Sequence, residues 1–205
     1  MKQKDVCLDG EGDAWYQRNL RHFNDVLSGA VTDPVFDAIR HMEIHPSSVL
    51  EIGCSTGYRL FLLWKKYGCI CKGVDPSRKA IAEGKKTCCK NIELSVGTAD
   101  KLSFLDGSFD MVIFGFCLYL CDREDLFKIV YEADRVLKSG GRLVIYDFYS
   151  KKEYSNMYQH CQGLKSFKMD YKELFLAFPC YSLEFFRRYG NAPDDWTMVC
   201  VLLKG

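Results

Sequence analysis

Apolar positions along this chain alternate between short continuous runs and longer stretches of helical spacing. The clearest run, Val49 to Ile52, reads as a strand and leads into a tight turn bracketed by Gly53 and Gly57. The turn opens a helix over 57–67 whose apolar face is Leu60, Phe61, Leu63 and Trp64. The rhythm then repeats: strand 70–74, helix 77–87, a short strand 92–95, strand 109–114, helix 123–137 and strand 141–148. Repeated strand–helix units of this kind predict a parallel sheet with helices on both faces. The last segment breaks the rhythm. Tyr181–Arg188 and Trp196–Leu203 are both strand-like and are joined by Gly190-Asn191-Ala192-Pro193-Asp194, which predicts a closing antiparallel pair.

Residues 1–10 read as disordered. From Gly12 to Val31 an amphipathic helix is expected, with Trp15, Phe23 and Val26 on one side. Thr32-Asp33-Pro34 signals a second helix over about 33–41, and Pro46-Ser47-Ser48 breaks it. Two helices therefore precede the first strand, placed to cover the top of the sheet. Asp122 with Asp125 resembles a capping box with Asp replacing Glu, and Ser139-Gly140-Gly141 reads as a helix stop and turn. The polar and aromatic stretch from Tyr149 to Asp170 reads either as a substrate-binding lid or as a surface loop with its aromatics tucked onto the core.

Composition narrows the class. The chain has 205 residues, one domain's worth, with 48% hydrophobic content. Lys plus Arg number 28 against 27 Asp plus Glu, a net charge of +1. That balance gives no electrostatic footprint for nucleic acid or an acidic membrane. The eleven cysteines include Cys88-Cys89 and Cys69-x-Cys71 but no C-x-x-C pair of the kind zinc sites use. Cys69, Cys71, Cys117 and Cys200 fall in apolar strand patterns, where a thiol behaves as a small hydrophobe, and Cys180 after Pro179 reads as a buried loop cysteine. No metal site is expected. With no apolar leader after Met1 and no run long enough to span a bilayer, the expectation is a reduced, cytoplasmic protein without a membrane partner. The oligomeric state is left open.

The chemistry centres on the first strand and its turn. Dinucleotide folds require G-x-G-x-x-G, yet position 55 is Ser, so the pattern is Glu51-x-Gly53-x-x-x-Gly57 and the phosphate cradle is incomplete. The second strand ends on Asp75, followed by Pro76, where a carboxylate can accept from both ribose hydroxyls. Together these features resemble motif I and its acidic partner in class I S-adenosylmethionine-dependent methyltransferases. Three further stretches strengthen the resemblance: Val96-Gly97-Thr98-Ala99-Asp100, then Phe109-Asp110-Met111-Val112, then Arg135-Val136-Leu137-Lys138-Ser139-Gly140-Gly141. They cover roughly residues 48–148 and are similar to the methyltransferase type 11-like group.

The resemblance implies an α/β fold: a Rossmann-like, seven-stranded, mostly parallel sheet with helices on both faces and an antiparallel C-terminal strand. It divides a single methyltransferase domain into a helical cap (1–47), a cofactor-binding core (48–148), a substrate lid (149–180) and a hairpin (181–205). It implies S-adenosyl-L-methionine as cofactor, bound by Glu51, Gly53, Cys54, Ser55, Gly57, Asp75, Pro76, Ala99 and Asp100, with Asp100 accepting from the adenine amine. A sulfonium also favours aromatic faces, for which Phe116, Tyr119, Trp15 and Tyr16 are candidates; Arg18 is a candidate partner for the cofactor carboxylate. Family members often carry His where Tyr119 stands, so the base is sought among His160, Tyr119 and Asp147, with Tyr146 beside it. The expected activity is methyl transfer to an O or N atom of a small-molecule acceptor. A nicotinamide-dependent oxidoreductase and a non-catalytic cofactor-binding subunit are the alternatives.

Overall fold

The computed structural model describes residues 2–87 and 91–205, so the pair Cys88-Cys89 lies outside the described residues. The chain opens with α1 (Gln3–Val6), a π-turn (Cys7–Glu11), α2 (Gly12–Leu27) and α3 (Pro34–His41). The βα units follow as β1 (Ser48–Ile52), α4 (Tyr58–Tyr67), β2 (Ile70–Asp75), α5 (Arg78–Thr87), β3 (Ile92–Val96), β4 (Phe109–Gly115), α6 (Leu126–Val136) and β5 (Leu137–Phe148). A small hairpin, β6 (Tyr154–Met157) with β7 (Lys165–Lys168), and a short α7 (Glu173–Leu176) precede β8 (Tyr181–Tyr189) and β9 (Thr197–Lys204).

Seven strands form one sheet in the order β3-β2-β1-β4-β5-β9-β8. The pairings from β3 to β5 are parallel, and β9 runs antiparallel to both neighbours. This is the expected Rossmann-like architecture. The strands alternate between two apolar layers because successive side chains point to opposite faces. Leu50, Ile52, Val112, Phe114, Leu143 and Ile145 pack beneath α6 and α7. Val49, Cys71, Met111, Ile113 and Val144 pack beneath α3 and α4. Each such fully buried aliphatic side chain contributes about 1.5–3 kcal/mol relative to exposure.

Several local expectations are corrected. Residues 3–11 are helical rather than disordered, because the Asp122 carboxylate accepts from the backbone N–H groups of Gln3 (3.0 Å) and Lys4 (3.2 Å). Those first-turn donors need an acceptor, and theirs comes from a residue 119 positions away. Asp122 and Asp125 therefore form no capping box; Asp125 pairs with Lys2 and Lys4 instead. The helix expected over 123–137 divides into a 3₁₀ turn (Arg123–Asp125) and α6, which ends at Val136. Ser139-Gly140-Gly141 is not its stop: the chain is already sheet-paired at Leu137, opposite Phe109, and rejoins at Arg142, opposite Met111. Gly140, at φ +75°, turns that excursion. Only α2 of the two early helices covers the top of the sheet, since α3 packs on its face. The 149–170 stretch is largely the β6/β7 hairpin, and Cys180 is exposed rather than buried. Among the described residues no helix is long and apolar enough to cross a membrane.

Candidate functional site

In an open parallel sheet, ligands bind beyond the carboxyl ends of the strands where the strand order reverses. Here that point lies between β1 and β4. The turn after β1 bends sharply. Gly53, Ser55 and Gly57 all have positive φ (77°, 50° and 75°), a region that L side chains disfavour. A Cβ on Gly53 would stand 2.6 Å from the Cys117 Cβ. Gly53→Ala is therefore expected to lose at least about 1–2 kcal/mol from backbone strain alone; denaturant unfolding against the parent protein measures this.

Asp75 closes the turn from the side. Its Oδ2 accepts from Ser55 N (2.8 Å) and its Oδ1 from Ser77 N (2.8 Å). An ionised carboxylate has about four acceptor sites, so each oxygen retains capacity for a ligand. Burial pushes the carboxyl up to about 6; the two backbone donors oppose the shift and nearby Asp13 adds to it. Asp13 also fixes the next turn by accepting from the Ser77 hydroxyl (2.7 Å) and Lys79 N (2.9 Å).

Glu51 is not at the cavity. A β1 side chain at this register points beneath α3 and α4, where Glu51 is fully buried and takes a hydrogen bond from Arg59 Nη1. Arg59 also donates from Nε to both Asp33 oxygens (3.0 Å each). Asp33 in turn caps α3 by accepting from Phe36 N at 2.8 Å. Burial raises the Glu51 carboxyl and Arg59 opposes it, while the two carboxylates hold the guanidinium charged. The N-cap reading of Asp33 was available from the sequence, but this triad was not.

The N-terminal segment roofs a first cavity. Its floor includes Ile52, Gly53 and Val74, its rim Asp75, Pro76, Ala99 and Asp100, and its roof Lys4, Cys7, Gly12 and Trp15. Lys4 Nζ lies 2.5 Å from Asp100 Oδ2 and 2.8 Å from Asp125 Oδ2. Burial works against the Asp100 charge, but the bond from Lys4 holds its carboxyl below the usual range. The Gln3 side chain ties the roof down by donating to the carbonyls of Leu120 (2.8 Å) and Lys165 (3.1 Å) and accepting from Lys165 N (2.6 Å). Residues 3–11 carried no signal for this role, because their partners are tertiary.

A second cavity, about 660 Å³, lies between α2, the end of β5 and the β6/β7 hairpin. Trp15, Gly53, Gly115 and Phe116 line both cavities and so mark their junction. Phe116 adopts φ +63° there, an uncommon conformation for a non-glycine residue, and its ring packs 4.9 Å from Phe148 and 5.1 Å from Tyr146.

The remaining candidates separate by geometry. Tyr119 and His160 line the second cavity; the Tyr119 hydroxyl accepts from Trp15 Nε1 at 2.7 Å, and the His160 ring lies 5.3 Å from that of Tyr158. Arg18 also lines it, donating to Glu11 and to the Tyr158 hydroxyl (3.0 Å). Tyr16 lies away from both cavities, stacked on Phe23. Trp15, Arg18, Asn19 and His22 follow helical spacing toward the second cavity, and one residue along the helix turns Tyr16 about 100° aside. Asp147 is likewise removed from the cavity. Strand alternation gives the cavity to Tyr146 and Phe148, while Asp147, fully buried, accepts from Leu118 N (2.7 Å) and Phe148 N (2.8 Å). Burial pushes its carboxyl up to about 7. Cys54 and Gly57 shape the turn without lining either cavity.

Residues 49–141 match a family model described as a methyltransferase domain. The chain is 32% identical over 109 residues to ajmaline N-methyltransferase of Rauvolfia serpentina, covering 50% of this chain and 36% of that one. It is 37% identical over 107 residues to demethylmenaquinone methyltransferase of Thermotoga maritima, covering 51% and 44%. The 1,6-didemethyltoxoflavin-N1-methyltransferase of Burkholderia thailandensis, solved with its acceptor and S-adenosylhomocysteine, shares the fold at a TM-score of 0.68. That match has 16% identity and covers 95% of this chain and 88% of that one. The chain spans between 36% and 56% of the length of the first curated relatives it matches.

Proposed function

We propose that this chain, whose residues 49–141 match a methyltransferase-domain family model, is a class I S-adenosylmethionine-dependent methyltransferase that moves a methyl group from S-adenosyl-L-methionine to an O or N atom of a small-molecule acceptor. The observation that carries the reading is the pair of cavities meeting at Trp15, Gly53, Gly115 and Phe116. One chamber takes the cofactor and the other the acceptor.

The residues of the first cavity fit the cofactor. Gly53 lines the cavity, Asp75 offers acceptors to ribose hydroxyls, and Asp100 stands on the rim for an adenine amine. The wall between them, including Val74 and Ala99, is apolar and suits a purine. Bound S-adenosylmethionine supplies a methyl already activated on a sulfonium. The protein's part is then mainly alignment, which can lower a barrier by about 7–11 kcal/mol. Phe116 lines both cavities and Tyr119 lines the second, and an aromatic face attracts a nearby cation by about 0.5–2 kcal/mol. Burial raises the Tyr119 phenol well above its ordinary value, so Tyr119 serves as a hydrogen-bonding group rather than a phenolate base. His160 remains the candidate base for a protonated acceptor.

The Asp75 carboxyl gives this reading a pH signature. Hydroxyl donors favour the ionised form, so affinity for S-adenosylhomocysteine is expected to fall as pH drops through about 6, with proton release on binding near that pH. In the ligand-free protein the sign is opposite: a raised folded value means a stabilising contribution present below the ordinary 3.8 and lost as pH rises through about 6. Calorimetry in buffers of different ionisation enthalpy separates the two. The function itself is tested by titrating S-adenosylhomocysteine into the full chain. Saturable micromolar-range binding is expected, and a folded protein that binds none contradicts the reading.

A further inference from the structure

One wall of the second cavity stands apart from the main sheet. It is the β6/β7 hairpin, a two-stranded sheet of its own, from which Asn156, Met157, Ser166 and Lys168 line the chamber. Two strands alone are marginal in water, so such a hairpin depends on its ties to the body. Its base is held at Phe167, whose carbonyl accepts from the Tyr171 hydroxyl at 3.0 Å and whose ring centroid lies 4.2 Å from the Arg123 guanidinium carbon. Nearer the tip, the ties run to the N-terminal segment. Gln3 is 8% exposed, and its side chain grips the main chain of Lys165 twice, accepting from the N–H (2.6 Å) and donating to the carbonyl (3.1 Å). The same amide donates to the Leu120 carbonyl at 2.8 Å. That bond reaches a turn whose Tyr119 lines the second cavity and whose Leu120 lines the first. Tyr158 and Leu164 of the hairpin loop share an apolar cluster with Val6 and Trp15.

Resting on the methyl-transfer reading, we propose that Gln3 is a positioning residue: it clamps the hairpin wall of the acceptor chamber to the roof of the cofactor cavity, so that a cofactor held beneath the roof also seats the acceptor wall. The roof covers the first cavity through Lys4, Cys7, Gly12 and Trp15. A ligand that gains contacts with the closed roof shifts the segment toward closure by that difference in affinity. Closure makes the Gln3 bonds. When the roof lifts, the Lys165 N–H, the Lys165 carbonyl and the Leu120 carbonyl lose one shared partner together, and the hairpin tip loosens. Linkage makes the coupling reciprocal, so a molecule seated against the hairpin raises affinity for the cofactor by the same factor. Arg18 supplies a second tether by donating to the Tyr158 hydroxyl at 3.0 Å, and a substitution at Gln3 leaves it in place.

Hydrogen–deuterium exchange of the full chain, with and without saturating S-adenosylhomocysteine, reads the clamp. In the parent protein the ligand is expected to slow exchange across residues 154–168 by at least about fivefold. Gln3→Met keeps the length of the side chain and gives up its hydrogen bonds. In that variant the ligand should still protect the turn after β1, while the hairpin response falls to about twofold or less. A purely structural Gln3 would leave this ligand-induced difference unchanged. Gln3→Asn, one methylene shorter, takes the place of Gln3→Met if that variant does not fold. A hairpin that ignores bound ligand in the parent protein overturns the proposal. So does a response that persists in folded, ligand-binding Gln3→Met, which would assign the link to Arg18. A parent chain that binds no S-adenosylhomocysteine removes the methyl-transfer reading instead, and the clamp is then decided by ligand-free exchange at the hairpin. Exchange at least about fivefold faster in Gln3→Met keeps the clamp, and equal rates overturn it.

Discussion

Asp75→Ala is expected to weaken S-adenosylhomocysteine binding by about 1.5–3 kcal/mol, roughly 10- to 150-fold in dissociation constant. The carboxylate stands at the rim of the first cavity with both oxygens anchored by Ser55 N and Ser77 N. It is thus held in place before the ligand arrives, and a preorganised charged acceptor is worth more than a mobile one. The substitution also strips two loop N–H groups of their partner, so a structural effect must be separated from a binding effect. Asp75→Asn keeps an oxygen in place but removes the charge, and should lose a smaller part of the affinity. Calorimetric titration of both variants, with circular dichroism to confirm the fold, measures the difference. Unchanged affinity in a folded Asp75→Ala protein would remove this residue from the cofactor site.

The second large effect concerns stability. Arg59→Met is expected to cost about 3–5 kcal/mol, because it leaves Glu51 and Asp33 buried without their shared cation. Both carboxylates are at most 2% exposed. For a chain of this size each kcal/mol moves the melting temperature by about 2–4 °C, so a fall of roughly 6–20 °C is anticipated. Adding Asp33→Asn and Glu51→Gln to the variant removes the stranded charges and should recover part of the loss. Scanning calorimetry of the single and triple variants tests the triad. A loss below about 1 kcal/mol in the single variant would place Arg59 outside the range of a broken buried pair.

The parts of the fold legible in the sequence were those set by local pattern. Val49 to Ile52 with Gly53 and Gly57 announced the β1 turn, because a short apolar run and glycine at a sharp bend are local signals. The closing pair β8/β9 followed from the same reasoning. At the site, Asp75, Pro76, Ala99, Asp100 and Phe116 all line the first cavity. What stayed hidden depends on partners distant in sequence. The segment 3–11 looked unstructured because its caps come from Asp122 and its ties from Leu120 and Lys165. Lys4 was therefore missed, although it bonds a residue singled out for the site. The motif resemblance puts Glu51 near the ligand and a strand-end position puts Asp147 there, yet side-chain direction is set by register, and each points into a protein layer. Tyr16 failed for the helical equivalent of that reason.

The space between the β1 turn, Asp75 and the N-terminal roof is assigned to the adenosyl moiety of a sulfonium cofactor. A crystal of the full chain grown with S-adenosylhomocysteine tests it most directly. Density is expected in the first cavity, with ribose hydroxyls on Asp75, the purine between Val74 and Ala99, and the sulfur turned toward Phe116. Density for the ligand elsewhere, or an empty first cavity at saturating ligand, would contradict it.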